Sequence, residues 1–324
     1  MRSRRSSRAR GWYGCLKHAR EGRTLPGWQR PDSTRKVDHM FQHETLTNGV
    51  RLLTAQQDQS PSATALVMFG VGSRFEQAHQ SGIAHFAEHM FFKGTERRPT
   101  ARHISAEIDG IGGEFNAFTG KELTAYYVKC AAESSAIALD VLADMVLASR
   151  FDAEEIEREK GVIVEEINMY LDQPRSRVDE LYDATRYAGT PLARPIIGFK
   201  ETVRAATRET FMDYLDTWYR PERLVIGLAG AVDEALIADA AARFGALEAV
   251  PTPTRPATAP APVGGPRVAL EHRESDQAHL ILGVDGRPLG SDDRYAVGLL
   301  QTALGGGMSS RLFTEVRERR GLAY

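Results

Sequence analysis

The sequence lacks the features that mark disulfide-rich and membrane-spanning proteins. Its 324 residues include only two cysteines, Cys15 and Cys130, which excludes a framework of several disulfides and a cysteine-rich zinc site. No apolar run approaches the roughly 18 residues of a membrane-spanning helix. The longest, residues 65–72, is typical of a buried strand. We therefore expect no membrane partner, and the low cysteine content favours a reducing compartment such as the bacterial cytoplasm.

Basic residues outnumber acids at the start of the chain and are outnumbered by them over the remainder taken as a whole. Residues 1–36 contain eleven Lys and Arg but only two acids, whereas the whole chain has a net charge of −2. Nucleic-acid-binding proteins usually carry their basic groups on folded elements, so we predict no nucleic-acid partner. We interpret residues 1–40 as a disordered basic extension without the apolar core of a secretory signal. The alternative is a transit peptide, which would place the protein in the mitochondrial matrix.

Proline is concentrated in one stretch, residues 251–266, which contains six prolines and predicts an extended linker. Before it, residues 41–250 alternate between strand-like runs and amphipathic helices, which indicates a mixed α+β domain. After it, the pattern predicts strands over 267–273 and 278–286 and a helix over 292–304. The order of these elements partly repeats residues 50–93, which suggests a duplicated unit.

Three polar side chains share one face of the helix predicted over residues 82–93. At 100° per residue, His85, Glu88 and His89 fall within an arc of about 100°. Two imidazoles four residues apart can bind one zinc ion, and a catalytic zinc takes three protein ligands with one position left open. Glu88 is suited to accept a proton from water and to pass it to a leaving amine. The alternative is a pair of hydrogen-bonded core histidines.

The helix predicted over 152–171 offers the third metal ligand. Glu166 lies in its apolar stripe, close to Val162, and an ionised carboxylate on a buried face needs a cation or a hydrogen-bonding partner. Glu159 lies two turns earlier on the same stripe and is expected to orient a histidine or the substrate. The alternatives are that Glu165, which lies off the stripe, is the ligand, or that Glu166 is a surface charge.

The stretch HFAEHMFFKGTERRP, followed by VIVEEINMYLDQP, resembles the pitrilysin/insulinase family of zinc metallopeptidases. The resemblance is strongest to the branch that contains mitochondrial processing peptidase and its bacterial homologues. The HxxEH order is that of the inverted zincins. The resemblance implies one Zn²⁺ per chain and these roles: His85, His89 and Glu166 as ligands, Glu88 as general base and Glu159 as a supporting carboxylate.

The same resemblance implies further contacts with a substrate. GGEFNAFTGKELTAYY is similar to the family's substrate-binding edge strand, which points to Asn116 and Ala117 as contacts for an extended peptide. SSRLFTEVRERRGLAY resembles the signature of the family's second half. There an arginine and a tyrosine, here Arg317 and Tyr324, reach the scissile carbonyl and suit a developing oxyanion.

The resemblance also implies a clam shell of two similar α/β-sandwich halves. We predict a zinc-binding peptidase domain over 41–250, and we interpret 267–324 as the start of an incomplete second half. The predicted function is that of a zinc endopeptidase acting on peptides or small unfolded polypeptides. Because the second half looks incomplete, we expect this chain to bind the metal but to show weak or absent proteolysis. The alternative is a non-catalytic scaffold subunit or an inactive fragment. Assembly as a homodimer or a heterodimer stays open.

Overall fold

The computed structural model describes residues 41–57, 59–254, 256 and 267–323. The predicted basic extension, most of the predicted linker and Tyr324 lie outside these residues. No helix of the described residues has the length and the apolar character needed to cross a bilayer.

A six-stranded sheet is the framework of the described fold. Its strands are β1 (Gln42–Thr45), β2 (Arg51–Gln56), β3 (Ser62–Phe69), β4 (Glu114–Thr119), β5 (Thr124–Ala131) and β6 (Leu224–Gly230). They lie in the order β1-β2-β6-β3-β5-β4. The β2–β6 pair is parallel and the other pairs are antiparallel. Within the described residues β4 pairs only with β5, so its other side is a free edge.

Most helices of the described residues lie before residue 250, where they pack mainly against the sheet and against one another. The helices are α1 (Ile83–Phe91), α2 (Ala101–Gly110), α3 (Ser135–Ala148), α4 (Ala153–Asp172), α5 (Pro174–Arg186), α6 (Lys200–Ala205), α7 (Arg208–Trp218), α8 (Glu234–Gly245) and α9 (Arg294–Gly305). The prediction of a mixed α/β fold is therefore confirmed. Helix α4 begins where expected, because the Asp152 side chain accepts hydrogen bonds from the backbone N–H groups of Glu154 and Glu155.

The hydrophobic core lies between the sheet and the helices. Strand β3 alternates strictly between half-buried and buried residues, as a strand with one core-facing side should. The large side chains at the centre include Phe86 of α1, Tyr126 of β5 and Phe211 of α7. All buried hydrophobic residues of the described chain lie between Val50 and Phe244, so residues 267–323 contribute none.

The strands predicted over 267–273 and 278–286 are absent, and this prediction is wrong. Both stretches are irregular, and their alternating apolar residues, such as Leu270 and Leu282, are about 90% exposed. An alternating pattern forms a strand only where a neighbouring strand accepts its hydrogen bonds. Here the segment lies along α5 instead, held by ion pairs such as Arg177–Glu271 at 2.8 Å. The predicted helix in this region is confirmed as α9.

Candidate metal centre

Helix α1 carries the HxxEH motif and begins with a cap supplied from outside the helix. Its N-cap residue, Gly82, has a φ of 95°, and a Cβ there would lie 2.5 Å from the carbonyl oxygen of Ile197, so glycine is required. The backbone N–H groups of Gly82 and Ala84 donate to the buried carboxyl group of Glu76, both at 2.9 Å. Glu76 thus fixes the first turn of α1 immediately before His85.

The structure brings His85, His89 and Glu166 together. The two imidazole rings, one helical turn apart on α1, have centroids 4.7 Å apart. Glu166 comes from α4, and its Oε2 lies 3.7 Å from Nε2 of each histidine. The three ligand atoms all lie within 4.8 Å of one another. Tetrahedral zinc with bonds of about 2.0–2.1 Å separates its ligand atoms by roughly 3.4 Å, so this cluster fits the ion.

Burial keeps His85 in the protonation state that a metal requires. Burial, and then the neighbouring His89, lower the pKa of His85 to about 4. The imidazole is therefore neutral at neutral pH, and a neutral ring nitrogen is the form that binds a metal.

Glu159 supports the second histidine from behind. Its Oε1 lies 2.9 Å from His89 Nδ1, and its Oε2 lies 2.5 Å from the Lys93 ammonium. Burial opposes ionisation of Glu159, but the hydrogen bonds from His89 and Lys93 outweigh it and lower the pKa of the carboxyl. With a proton on Nδ1 donated to Glu159, His89 turns Nε2 towards Glu166, which is the orientation a ligand needs.

Glu88 lies beside the cluster without belonging to it. It lines a cavity of 460 Å³ together with His85, Thr119 and Tyr170. Burial raises the pKa of Glu88, although a hydrogen bond from the Thr119 hydroxyl lowers it in part. A carboxyl group with a raised pKa at the wall of a cavity can exchange protons with a molecule bound there.

The apolar stripe of α4 is narrower than the sequence predicted. Its buried residues are Ile156, Glu159, Ile163 and Ile167, whereas Val162 is 52% exposed. Glu166 therefore lies at the margin of the stripe, half-buried, and not at its centre. Periodicity cannot locate this margin, because the margin depends on which neighbouring helices cover α4. Glu165 is exposed, as expected from its position off the stripe.

The other predicted site residues are more dispersed. Asn116 is exposed on β4, where its Oδ1 accepts a hydrogen bond from the Ala117 N–H, and Ala117 packs against the core. Arg317 is exposed, with its guanidinium over the Phe313 ring at 4.8 Å, and it does not line the cavity. Tyr324 lies outside the described residues.

Two residues at the site have no counterpart in the sequence predictions. Glu76 has no periodic relation to α1, because it reaches the helix from a loop, and no pattern in the sequence identifies it. Thr119 could have been found from the alternation of β4, which places it on the same side as Phe115 and Ala117. The alternation of β4 identifies Thr119 only once it is known that α1 packs against this side of the strand.

The chain is similar to known zinc proteases over most of its length. The family profile described as Insulinase (Peptidase family M16) matches residues 51–200, and the profile described as Peptidase M16 inactive domain matches 205–324. An "uncharacterized zinc protease YmxG" of Bacillus subtilis is 41% identical over 285 residues, which cover 88% of this chain and 69% of that protein. An uncharacterized zinc protease of Streptomyces coelicolor is 42% identical over 287 residues, covering 86% and 62%.

Solved structures share the fold. A protease from Helicobacter pylori superimposes with a TM-score of 0.71 at 22% identity, covering 86% of this chain and 68% of that one. The periplasmic protease PqqL from Escherichia coli gives a TM-score of 0.61 at 25% identity, covering 68% and 26%. The chain thus spans about two thirds of the length of the two curated relatives above.

Proposed function

The chain belongs to the insulinase (M16) family of peptidases, and from this premise we propose that it is a zinc-dependent endopeptidase with Glu88 as its general base. The single observation that carries the proposal is the convergence of His85, His89 and Glu166 from two helices beside Glu88. A bound zinc ion would polarise the scissile carbonyl and make water a stronger nucleophile. Zinc is the metal named for the relatives.

Proton transfer, orientation of a metal ligand and stabilisation of the oxyanion are assigned to side chains of the protein. In this proposal Glu88 removes a proton from the attacking water and delivers it to the leaving amine, since it lines the cavity together with His85 and lies on the same helical face. Glu159 holds the His89 ring in place. In the same proposal, Arg317 and Tyr324 stabilise the developing oxyanion, as the family resemblance implies.

The free edge of β4 supports an extended peptide as substrate. An unpaired strand edge can add a further strand through backbone hydrogen bonds, and side chains of the added strand then enter neighbouring pockets. Asn116 and Ala117 lie on this edge, and Phe118 and Thr119 at its end line the cavity. The substrate class proposed is therefore peptides or unfolded polypeptides, which can offer an extended backbone.

The cavity walls differ in character. Helix α5 contributes three acids to one wall, whereas apolar residues line another part of the cavity. The acids are Asp179, Glu180 and Asp183. Glu180 pairs with Arg177 at 2.9 Å, and Asp183 pairs with Lys121, which also lines the cavity, at 3.3 Å. The proposal that a peptide with a basic side chain close to an apolar one complements these walls therefore rests on Asp179. We further propose a cytoplasmic location, one zinc ion per chain and an end of the zinc-binding domain at residue 250.

Metal analysis of three purified proteins tests the proposed function. We expect zinc near one equivalent in the wild type, little in His85→Ala, and wild-type content in Glu88→Gln. Cleavage of a fluorogenic peptide should occur only in the wild type, because loss of a general base typically costs about 10²- to 10⁴-fold in rate. Zinc retained by His85→Ala would refute the metal site. Zinc without any cleavage in the wild type would favour a scaffold subunit.

A further inference from the structure

On the basis of the function proposed above, we propose that Thr119 is a positioning residue that holds the general base in its working orientation. Its hydroxyl donates a hydrogen bond to Oε2 of the Glu88 carboxylate. Among the described residues this is the one hydrogen bond that Glu88 receives. Both side chains line the same cavity, so Glu88 stays oriented at the place where a substrate would lie.

The strand places the Thr119 hydroxyl in front of helix α1. Alternate residues of β4 face the helix, as shown by the Phe115 ring, which lies 5.5 Å from the Phe92 ring just after α1. Ala117 packs against the core on the same side. Thr119 is the next residue of this series and is half-buried. Its neighbour Phe118 points the other way and is exposed.

The backbone next to Thr119 is held on several sides. The carbonyl of Gly120 accepts a hydrogen bond from Ser73 N–H at 3.1 Å, and the carbonyl of Lys121 accepts one from Arg74 N–H at 2.8 Å. A Cβ on Gly72 would lie only 2.2 Å from the Gly120 carbonyl oxygen, so the two backbone segments are in direct contact. The hydroxyl is therefore presented by a rigid segment, as preorganisation of a catalytic group requires.

Glu88 needs such a partner because its side chain has several rotatable bonds. A hydrogen bond from Thr119 to one oxygen restrains the carboxylate and leaves the other oxygen free to accept a proton. Since Thr119 belongs to the proposed substrate strand, the same strand would hold both the peptide and the base.

Thr119→Val tests this role, because valine keeps the branched shape and removes the hydroxyl. We expect kcat on an arginine-containing fluorogenic peptide to fall by about 10- to 100-fold, with KM changed less than about twofold, since misplacement of a catalytic group costs up to about 10²-fold. Thr119→Ser should restore the rate to within about threefold of wild type, because it returns the donor. Zinc content should be unchanged in both.

Thr64→Val is the matched control, since Thr64 is a half-buried strand residue on β3 whose hydroxyl has no hydrogen-bond partner among the described residues. It should leave kcat unchanged. A wild-type kcat in Thr119→Val, a failure of serine to rescue, or a change confined to KM would each overturn the role.

A crystal structure of Thr119→Val provides a readout that does not depend on activity. We expect the Glu88 carboxylate to leave its wild-type rotamer or to occupy more than one. An unchanged Glu88 would overturn the inference. If the wild type binds zinc but cleaves nothing, the proposed function fails, and this structure still decides whether Thr119 positions Glu88.

Discussion

Glu159 is a buried carboxylate that serves the proposed metal site without being a ligand. It accepts a hydrogen bond from His89 and pairs with Lys93, so its charge is balanced on both oxygens. The consequence for His89 is a fixed tautomer, with the proton on Nδ1 and the lone pair on Nε2 directed at the ion position. The buried Glu159 carboxylate thus orients His89 for metal binding.

Replacing Glu159 should weaken metal binding while leaving the ligands intact. Glu159→Gln keeps an oxygen for His89 but turns an amide donor towards the Lys93 ammonium, which disturbs the arrangement. We expect zinc affinity to fall by about 10- to 100-fold, the usual effect of losing such a partner. Competition with a chromogenic chelator measures it. Glu165→Gln, an exposed change on the same helix, is the control, and equal affinities for the two variants would contradict the prediction.

Residue-level patterns predicted part of the site well. Helical periodicity placed His85, Glu88 and His89 on one face, and the structure has them there. Periodicity also pointed to Glu166, yet it placed Val162 on the buried stripe, where the structure leaves it exposed. Helical periodicity gives the direction of a side chain around the helix axis. Which of these directions are buried depends on the neighbouring elements that pack against the helix.

At the scale of the elements, the N-terminus of helix α1 is capped by a side chain from outside the helix. Neither Gly82 nor any side chain of the helix satisfies the first N–H groups, and Glu76 does so from the preceding loop. Burial raises the pKa of this carboxyl from its usual 4.5 to about 8, although the hydrogen bonds from Ala84 and Gly82 and the charge of Arg194 oppose the shift.

This raised pKa makes the stability of the fold depend on pH in a definite direction. Between about pH 4.5 and pH 8 the native state retains a proton that the unfolded chain has released, so the free energy of unfolding falls as pH rises. Gln cannot ionise. We therefore expect the difference in unfolding free energy between wild type and Glu76→Gln to shift against the wild type from about pH 5 to about pH 8. Urea denaturation of the metal-free proteins measures this difference.

Using metal-free protein removes the contribution of ligand binding, and comparing two proteins that differ only at residue 76 isolates the contribution of this carboxyl group. Glu165→Gln, an exposed substitution on α4, again serves as a control. A pH-independent difference between wild type and Glu76→Gln would mean that the Glu76 carboxyl titrates normally in the folded protein.

The elements with a clear buried face were predictable and the others were not. The sequence predicts a strand over 224–230 from a nearly continuous apolar run and a helix over 233–244, and the structure has them as β6 and α8. Helix α5 was missed, since none of its residues is fully buried and its one sequence signal is Pro174 at the first turn. The strands over 267–273 and 278–286 were predicted from their apolar pattern, and no described strand lies beside them.

At the scale of the whole molecule, the described chain has one core and one peripheral segment. The core spans residues 50–244 and includes all the residues of the proposed metal centre. The peripheral segment, 267–323, is largely exposed and contacts α5 through ion pairs, such as Arg186–Asp285 at 2.6 Å, and through Arg267, which donates to the Thr185 carbonyl at 3.0 Å. Exposed ion pairs contribute only about 0–1 kcal/mol each to stability.

Removing residues 267–324 should therefore leave the zinc-binding domain intact. The segment supplies no buried hydrophobic side chain, so its loss creates no cavity and exposes little apolar surface that is not exposed already. We expect the shortened chain to bind zinc with wild-type affinity and to unfold within about 4 °C of the full chain. Thermal unfolding followed by circular dichroism, with chelator competition on the same samples, measures both. A larger drop in unfolding temperature or a loss of zinc would show that this segment stabilises α5, and with it the adjoining α4 that carries Glu166.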